Sequence, residues 1–123
     1  MLIDSNIIIY ATQPEHDLLR QFIKKHAPAV SVVSYIEVLG YHRLQETERL
    51  LLEKFFQVSE VIPLSEPIVK QAVALRQRQR MSLGDSIVAA TALAYGRPLA
   101  TRNVEDFVWI EELTVLDPLL LSE

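Results

Sequence analysis

Three carboxylates of this 123-residue chain stand where elements of secondary structure would begin or end. Asp4 closes the apolar opening Met1-Leu2-Ile3, Glu37 stands three residues after Ser34, and Asp85 stands three residues after Ser82. A further polar group, Asn103, follows the short apolar run from Leu99 to Thr101. Carboxylates held close together repel one another, and such a cluster persists only if a proton is shared or a cation is bound. An all-oxygen donor set suits a hard divalent ion such as Mg²⁺. Each acid also has a structural explanation. Ser34/Glu37 and Ser82/Asp85 have capping-box spacing, and Asp4 is a favoured N-cap for a helix starting at Ser5. Spacing alone leaves both explanations open. His16, His26 and His42 lack metal-ligand spacing, and a chain without cysteine has no disulfides, thiolate metal sites or thiol chemistry.

Whether the acids meet depends on the elements that carry them. Residues 1 to 4 read as a buried strand and Ser5 to Ala11 as the start of a helix. A second helix is expected from Pro14, with Leu18, Leu19, Phe22 and Ile23 at helical spacing until His26 and Pro28. Ala29 to Val33 is a short β-branched strand, after which Ser34 opens a helix reaching Gly40 or beyond. Gln45 to Phe56 is another helix, apolar on more than one face through Leu50, Leu51, Leu52, Phe55 and Phe56. Its apolar surface is either part of the domain's own core or a contact for a partner. Val58 to Leu64 holds a short extended piece, and Pro67 lies in the first turn of a helix running toward Arg80. The Ser82 helix ends at Gly96, Leu99 to Thr101 is a strand, Asn103 to Asp106 offers another cap, and Leu113 to Leu116 is the last strand before Asp117-Pro118.

Strands alternating with helices predict an α/β fold, a three-layer α/β/α sandwich around a mainly parallel sheet, as one domain over residues 1–123. In such a sheet helix N-termini gather at the edge where strands end, which is where ligands bind. Asp4, Glu37, Asp85 and Asn103 are therefore expected on one rim. Capping acids lie along the same rim, so this placement does not by itself decide for a metal. Half of the residues are apolar, enough for a packed core. Asp4 interrupts the opening apolar stretch too early for a signal peptide, and no segment has the ~20 apolar residues of a membrane span, so a soluble, cytoplasmic protein is expected. The net charge of −4 excludes coating of nucleic acid by bulk electrostatics. A polyanion would need a local patch or metal ions.

Four segments in order, Met1-Leu-Ile-Asp4-Ser-Asn6, Ser34-Tyr-Ile-Glu37-Val-Leu-Gly40, Leu83-Gly84-Asp85-Ser-Ile-Val-Ala-Ala90 and Leu99-Ala-Thr101-Arg-Asn103-Val-Glu-Asp106-Phe107, together resemble a PIN domain of the VapC toxin class. The resemblance spans the whole chain. It implies an endoribonuclease in which Asp4, Glu37 and Asp85 ligate Mg²⁺ or Mn²⁺ and water attacks the phosphodiester, leaving 5′-phosphate and 3′-hydroxyl ends. It also implies a homodimer and a VapB-type antitoxin that obstructs the acidic site. Where many PIN domains carry a fourth acid this chain has Asn103, which could orient a metal-held water, and Asp106 one turn on could supply the missing charge. Asn6 and Thr101 stand beside the proposed ligands as supporting hydrogen-bond partners; they are equally ordinary turn and cap residues.

Arg76, Arg78 and Arg80 form an alternating basic run before the Ser82 helix. Arg76 and Arg80, which would share a helical face, and Arg102 near the rim are candidates for RNA phosphate contacts, against the alternative of a solvated helix face. Two other functions compete. A noncatalytic PIN-like module would use the rim or the Leu50 to Phe56 surface only for binding protein or RNA. A phosphoacceptor receiver domain needs an acidic pair after its first strand and a late lysine, and here Asp4 stands alone and no lysine follows Lys70.

Overall fold

The computed structural model describes residues 1–121. In chain order the elements are β1 (Leu2–Ile3), α1 (Ser5–Ala11), α2 (Asp17–His26), β2 (Ala29–Ser31), α3 (Val32–Leu39), α4 (Glu46–Val58), β3 (Val61–Ile62), α5 (Glu66–Arg78), α6 (Leu83–Ala94), β4 (Leu99–Ala100), a 3₁₀ turn (Val104–Asp106), β5 (Val115–Leu116) and α7 (Pro118–Leu121). The strands form a five-stranded sheet in the order β3-β2-β1-β4-β5, with every pairing parallel. β1 lies at the centre, pairing Leu2 with Ala29 and Leu99 on its two sides.

Adjacent residues of a strand point to opposite faces of a sheet, and this divides the core in two. Leu2, Ala29 and Leu99 face one layer, where they meet Ile68, Ala72 and Leu75 of α5 and Val88 and Ala92 of α6. Ile3, Val30 and Ala100 face the other, with Ile7 and Ile8 of α1, Leu19 of α2, Val38 of α3 and Leu52 and Phe56 of α4. The expected three-layer sandwich is thus present, with a wholly parallel sheet. All five strands are short, two or three residues each.

Several boundaries differ from expectation for local reasons. α2 starts at Asp17, not at Pro14. The preceding residues make consecutive turns, and the Arg20 guanidinium ties them down by donating to the carbonyls of Ala11, Gln13 and Pro14 at 3.0, 2.6 and 3.2 Å. β2 stops at Ser31, whose hydroxyl caps α3 by accepting from the Val33 N–H at 3.1 Å. The expected Ser34/Glu37 capping box does not form: Ser34 is buried inside α3 and Glu37 sits in its second turn. Two β-branched residues, Val32 and Val33, read as strand from sequence, yet an N-cap in hand and burial of the helix face outweigh their modest propensity. α5 ends at Arg78, because Gln79 is already extended. Gly96 takes the left-handed conformation (φ 61°) that turns the chain from α6 toward β4. Among the described residues, no helix is long and apolar enough to cross a membrane.

Candidate active site

Asp4 follows β1 and caps α1, so both explanations of this residue hold at once. Its Oδ1 accepts from the Ser5 N–H at 2.8 Å and its Oδ2 from the Thr101 hydroxyl at 2.9 Å. Thr101, fully buried after β4, is a hub: its oxygen also accepts from Asn6 Nδ2 at 3.3 Å and from the Asn103 N–H at 3.0 Å. Asn6 in turn accepts from the Arg102 N–H at 3.3 Å. Of the two expected supporting residues, Thr101 touches a carboxylate and Asn6 acts through Thr101.

Glu37 is drawn toward Asp4 by the intervening Ser5, whose hydroxyl donates to Glu37 Oε1 at 2.7 Å, with Ser34 Oγ 2.9 Å from Ser5 Oγ. A carboxylate only accepts, so the Ser5 proton points to Glu37. Gly84, in the first turn of α6, lies against the other oxygen. A Cβ built there would stand 2.9 Å from Glu37 Oε2. Asp85 is the third residue of α6, with its N–H bonded to the Ser82 hydroxyl at 3.0 Å.

Burial pushes the Asp4 carboxyl up to about 6, with the Thr101 and Ser5 hydrogen bonds opposing and the charges of Asp85 and Glu37 adding to the rise. Burial likewise raises Asp85; Ser82 offsets part of this, and the charges of Asp106 and Glu37 reinforce it. The fold therefore brings Asp4, Glu37, Asp85 and Asp106 into one electrostatic neighbourhood. Among the described residues they do not close into a ready-made metal cage. The donor set is all oxygen, and the carboxylates disfavour one another's charge. Both properties fit a hard divalent cation in this neighbourhood.

With this geometry, the comparison with known sequences is decisive: the PIN domain family matches residues 1–111. The chain belongs to the PIN-domain family. Ribonuclease VapC10 of Mycobacterium tuberculosis is 34% identical over 123 residues, covering 92% of this chain and 90% of that protein. Among solved structures, a toxin-antitoxin complex from Klebsiella pneumoniae contains a chain that is 28% identical, with a TM-score of 0.78 and coverage of 95% of this chain and 96% of that one. VapBC2 from Rickettsia felis, bound to a DNA fragment from its promoter, shares the fold with a TM-score of 0.82 at 21% identity, over 93% of this chain and 95% of that one.

Within this PIN domain the remaining candidates separate. Asn103 is exposed at the start of the 3₁₀ turn, and its side chain makes no capping bond, contrary to the expected cap. Asp106 contributes to the site through its charge on Asp85. Arg102 faces away from the phosphate role expected of it: Nη1 is 2.6 Å from the nearly buried Asp117 and the guanidinium stacks on Tyr10 at 5.5 Å. Arg76 and Arg80 are exposed beside Ser82. The sequence reading missed Ser5, Ser34 and Gly84. Only Gly84 left a signal, since glycine in the first turn of an otherwise Ala-rich helix costs about 1 kcal/mol relative to alanine and needs a packing reason.

The apolar helix α4 divides between its two expected roles. Leu52 and Phe56 are buried in the core, while Leu50 and Leu51 are exposed. Leu51 and Phe55, with Ile8 and Ile23, line a groove of about 710 Å³ between α1, α2 and α4 that includes none of the site carboxylates.

Proposed function

We propose that this PIN domain is a divalent-metal-dependent endoribonuclease acting in the cytoplasm, the toxin of a VapBC-type pair. The observation that carries the reading is the convergence of Asp4, Glu37 and Asp85, each delivered by a different helix start or helix turn, with Asp4 buried and raised to about 6 by burial and its acidic neighbours. Such a group is costly without a cation, which makes cation binding its natural resolution. Asp4, Glu37 and Asp85 would hold Mg²⁺ or Mn²⁺. The cation's contribution when bound is to neutralise charge building on the scissile phosphate and to acidify water.

The chain's own residues supply position. Thr101 and the Ser5 N–H hold Asp4 by one hydrogen bond to each oxygen, Ser5 orients Glu37, and the Ser82 cap fixes the start of the helix bearing Asp85. Asn103, linked through its backbone to Thr101, is poised to orient an attacking water, and Asp106 adds negative charge beside Asp85. The resemblance to toxin-antitoxin complexes extends the proposal to a VapB-type antitoxin, with the groove beside Leu51 and Phe55 as its docking surface, and to a homodimer.

The test is cleavage of total cellular RNA by purified, antitoxin-free protein in Mg²⁺ or Mn²⁺, in EDTA, and with Asp85→Asn. Discrete fragments that vanish with EDTA and in the variant are the expected result. An unchanged cleavage rate in folded Asp85→Asn would overturn the role given to Asp85, and no cleavage by folded, metal-binding wild type on any RNA would overturn the nuclease reading.

A further inference from the structure

A site built of carboxylates repels the strand it is to cut, and a chain of net charge −4 gives no general attraction to compensate. Attraction for a polyanion must then come from cations not already held by acids of the chain. Among the described residues, Arg49 is paired with Glu46 and Glu53, Arg78 with Glu112, Arg97 with Glu60 and Arg102 with Asp117. Arg20 is turned mainly onto backbone carbonyls. Arg43, Arg76 and Arg80 have no carboxylate partner among the described residues, and the last two share one turn.

That turn borders a shallow, open surface depression of about 530 Å³ lined by Arg76, Gln77, Arg78, Gln79, Arg80 and Met81. Its shape follows from the end of α5 at Arg78 and the extended Gln79, so Arg76 and Arg80 flank a bend and do not share a helical face as the sequence suggested. Arg76 Nε donates to the Met81 carbonyl at 3.3 Å, which folds the guanidinium across the bend and leaves its terminal nitrogens without a partner among the described residues. Arg78 is immobilised by both oxygens of Glu112, at 2.9 and 3.4 Å, and by the Trp109 ring at 5.3 Å.

Two routes join this turn to the acidic site. Along the chain Arg80 is five residues before Asp85, a span of no more than about 17 Å. Through space, Arg78 covers Trp109, the Trp109 indole donates to the Asp106 carbonyl at 3.1 Å, and the Asp106 carboxylate acts on Asp85. Guanidinium groups with unoccupied N–H forks match phosphate oxygens in shape and charge, and the two glutamines add neutral donors.

We infer that the 76–81 turn is a subsite for the sugar-phosphate backbone of a single RNA strand. Arg76 and Arg80 grip phosphates a few nucleotides from the bond cleaved at Asp85, and Arg78 braces the turn. The inference rests on the nuclease reading above. It is tested by the affinity of a short, labelled, single-stranded RNA for Asp85→Asn protein, which keeps the strand intact, across a series of salt concentrations. Adding Arg76→Gln and Arg80→Gln should weaken binding about tenfold or more at low salt. The slope of log Kd against log salt should fall by about 1.4, from two phosphate contacts at about 0.7 each.

Arg80→Gln alone, which disturbs no described hydrogen bond, should remove about half of that slope change. Lys24→Gln with Lys25→Gln removes the same charge from the last turn of α2, at the opposite end of the strands from Asp4, and should leave the slope unchanged. In the active protein the arginine pair should raise KM for RNA and leave kcat alone. Equal effects of the arginine and lysine pairs, or no effect of either, overturn the subsite. An active nuclease whose KM is unmoved by the arginine pair overturns the subsite and leaves the nuclease reading standing, whereas folded protein that neither binds nor cuts RNA overturns both.

Discussion

Position at this site is set by single atoms. Thr101 illustrates this, because one buried hydroxyl serves Asp4, Asn6 and the Asn103 N–H. Thr101→Val keeps the volume and removes this partner from all three; Asp4 keeps the Ser5 N–H and Asn6 the Arg102 N–H, so the main cost is the buried Asp4 Oδ2 left unpaired, about 1–3 kcal/mol. The variant should lose about 1–3 kcal/mol in denaturant unfolding and show weakened cleavage in the same preparation. Gly84 makes the opposite combination. Its missing side chain is what leaves room for Glu37 Oε2, and a methyl group at 2.9 Å must push the carboxylate aside. The end of a glutamate side chain moves cheaply, and alanine favours helix over glycine by about 1 kcal/mol. Gly84→Ala should therefore melt no lower than wild type while losing about ten- to a hundredfold in cleavage rate, as misplacement of a reacting group would cause. A loss of stability with normal activity would contradict this account of Gly84.

At the scale of elements, the chain brings its acids together by starting helices immediately after strands. α1 begins one residue after β1 with Asp4 as its cap, and α3 begins directly after β2 with Ser31 as its cap. The cap at Ser31 sets the rotation of α3, which turns Ser34 inward and Glu37 toward Ser5. Ser31→Ala should cost about 1 kcal/mol, the usual worth of an N-cap hydroxyl, measured as a shift in denaturant midpoint. It should also lower cleavage through the loosened start of α3.

For the whole molecule, the buried acid makes stability depend on pH. A carboxyl whose pKa rises from 3.8 to about 6 on folding binds its proton more tightly in the folded state. Its contribution is therefore fully present below pH 3.8 and is lost as pH rises through about 6. The shift corresponds to about 3 kcal/mol at most, at roughly 1.4 kcal/mol per unit. Metal-free protein should become less stable between pH 4 and pH 7, and Asp4→Asn, which carries no charge, should flatten that decline and melt a few degrees higher than wild type at pH 7. Added Mg²⁺ should restore stability to wild type and not to Asp4→Asn, because the cation stabilises the charged form that the variant lacks. Thermal melts across pH with EDTA or Mg²⁺ check each part.

By itself the sequence determined the layer architecture, since alternating strand and helix patterns admit few folds, and it marked Asp4 and Asp85 because caps and strand ends obey local rules. It placed Glu37 on the same rim, but for a local reason that does not hold: Ser34 and Glu37 have capping spacing, yet Ser31 caps the helix. Only the tertiary structure decided how Glu37 is held, since its partners Ser5 and Gly84 come from α1 and α6, 32 and 47 residues away in the chain. Tertiary structure likewise sorted the arginines, turning Arg102 onto Asp117 and leaving Arg76 and Arg80 without carboxylate partners among the described residues. Spacing along a chain governs groups within one turn of each other; the partners of a charge are set by which elements the packed core brings alongside it.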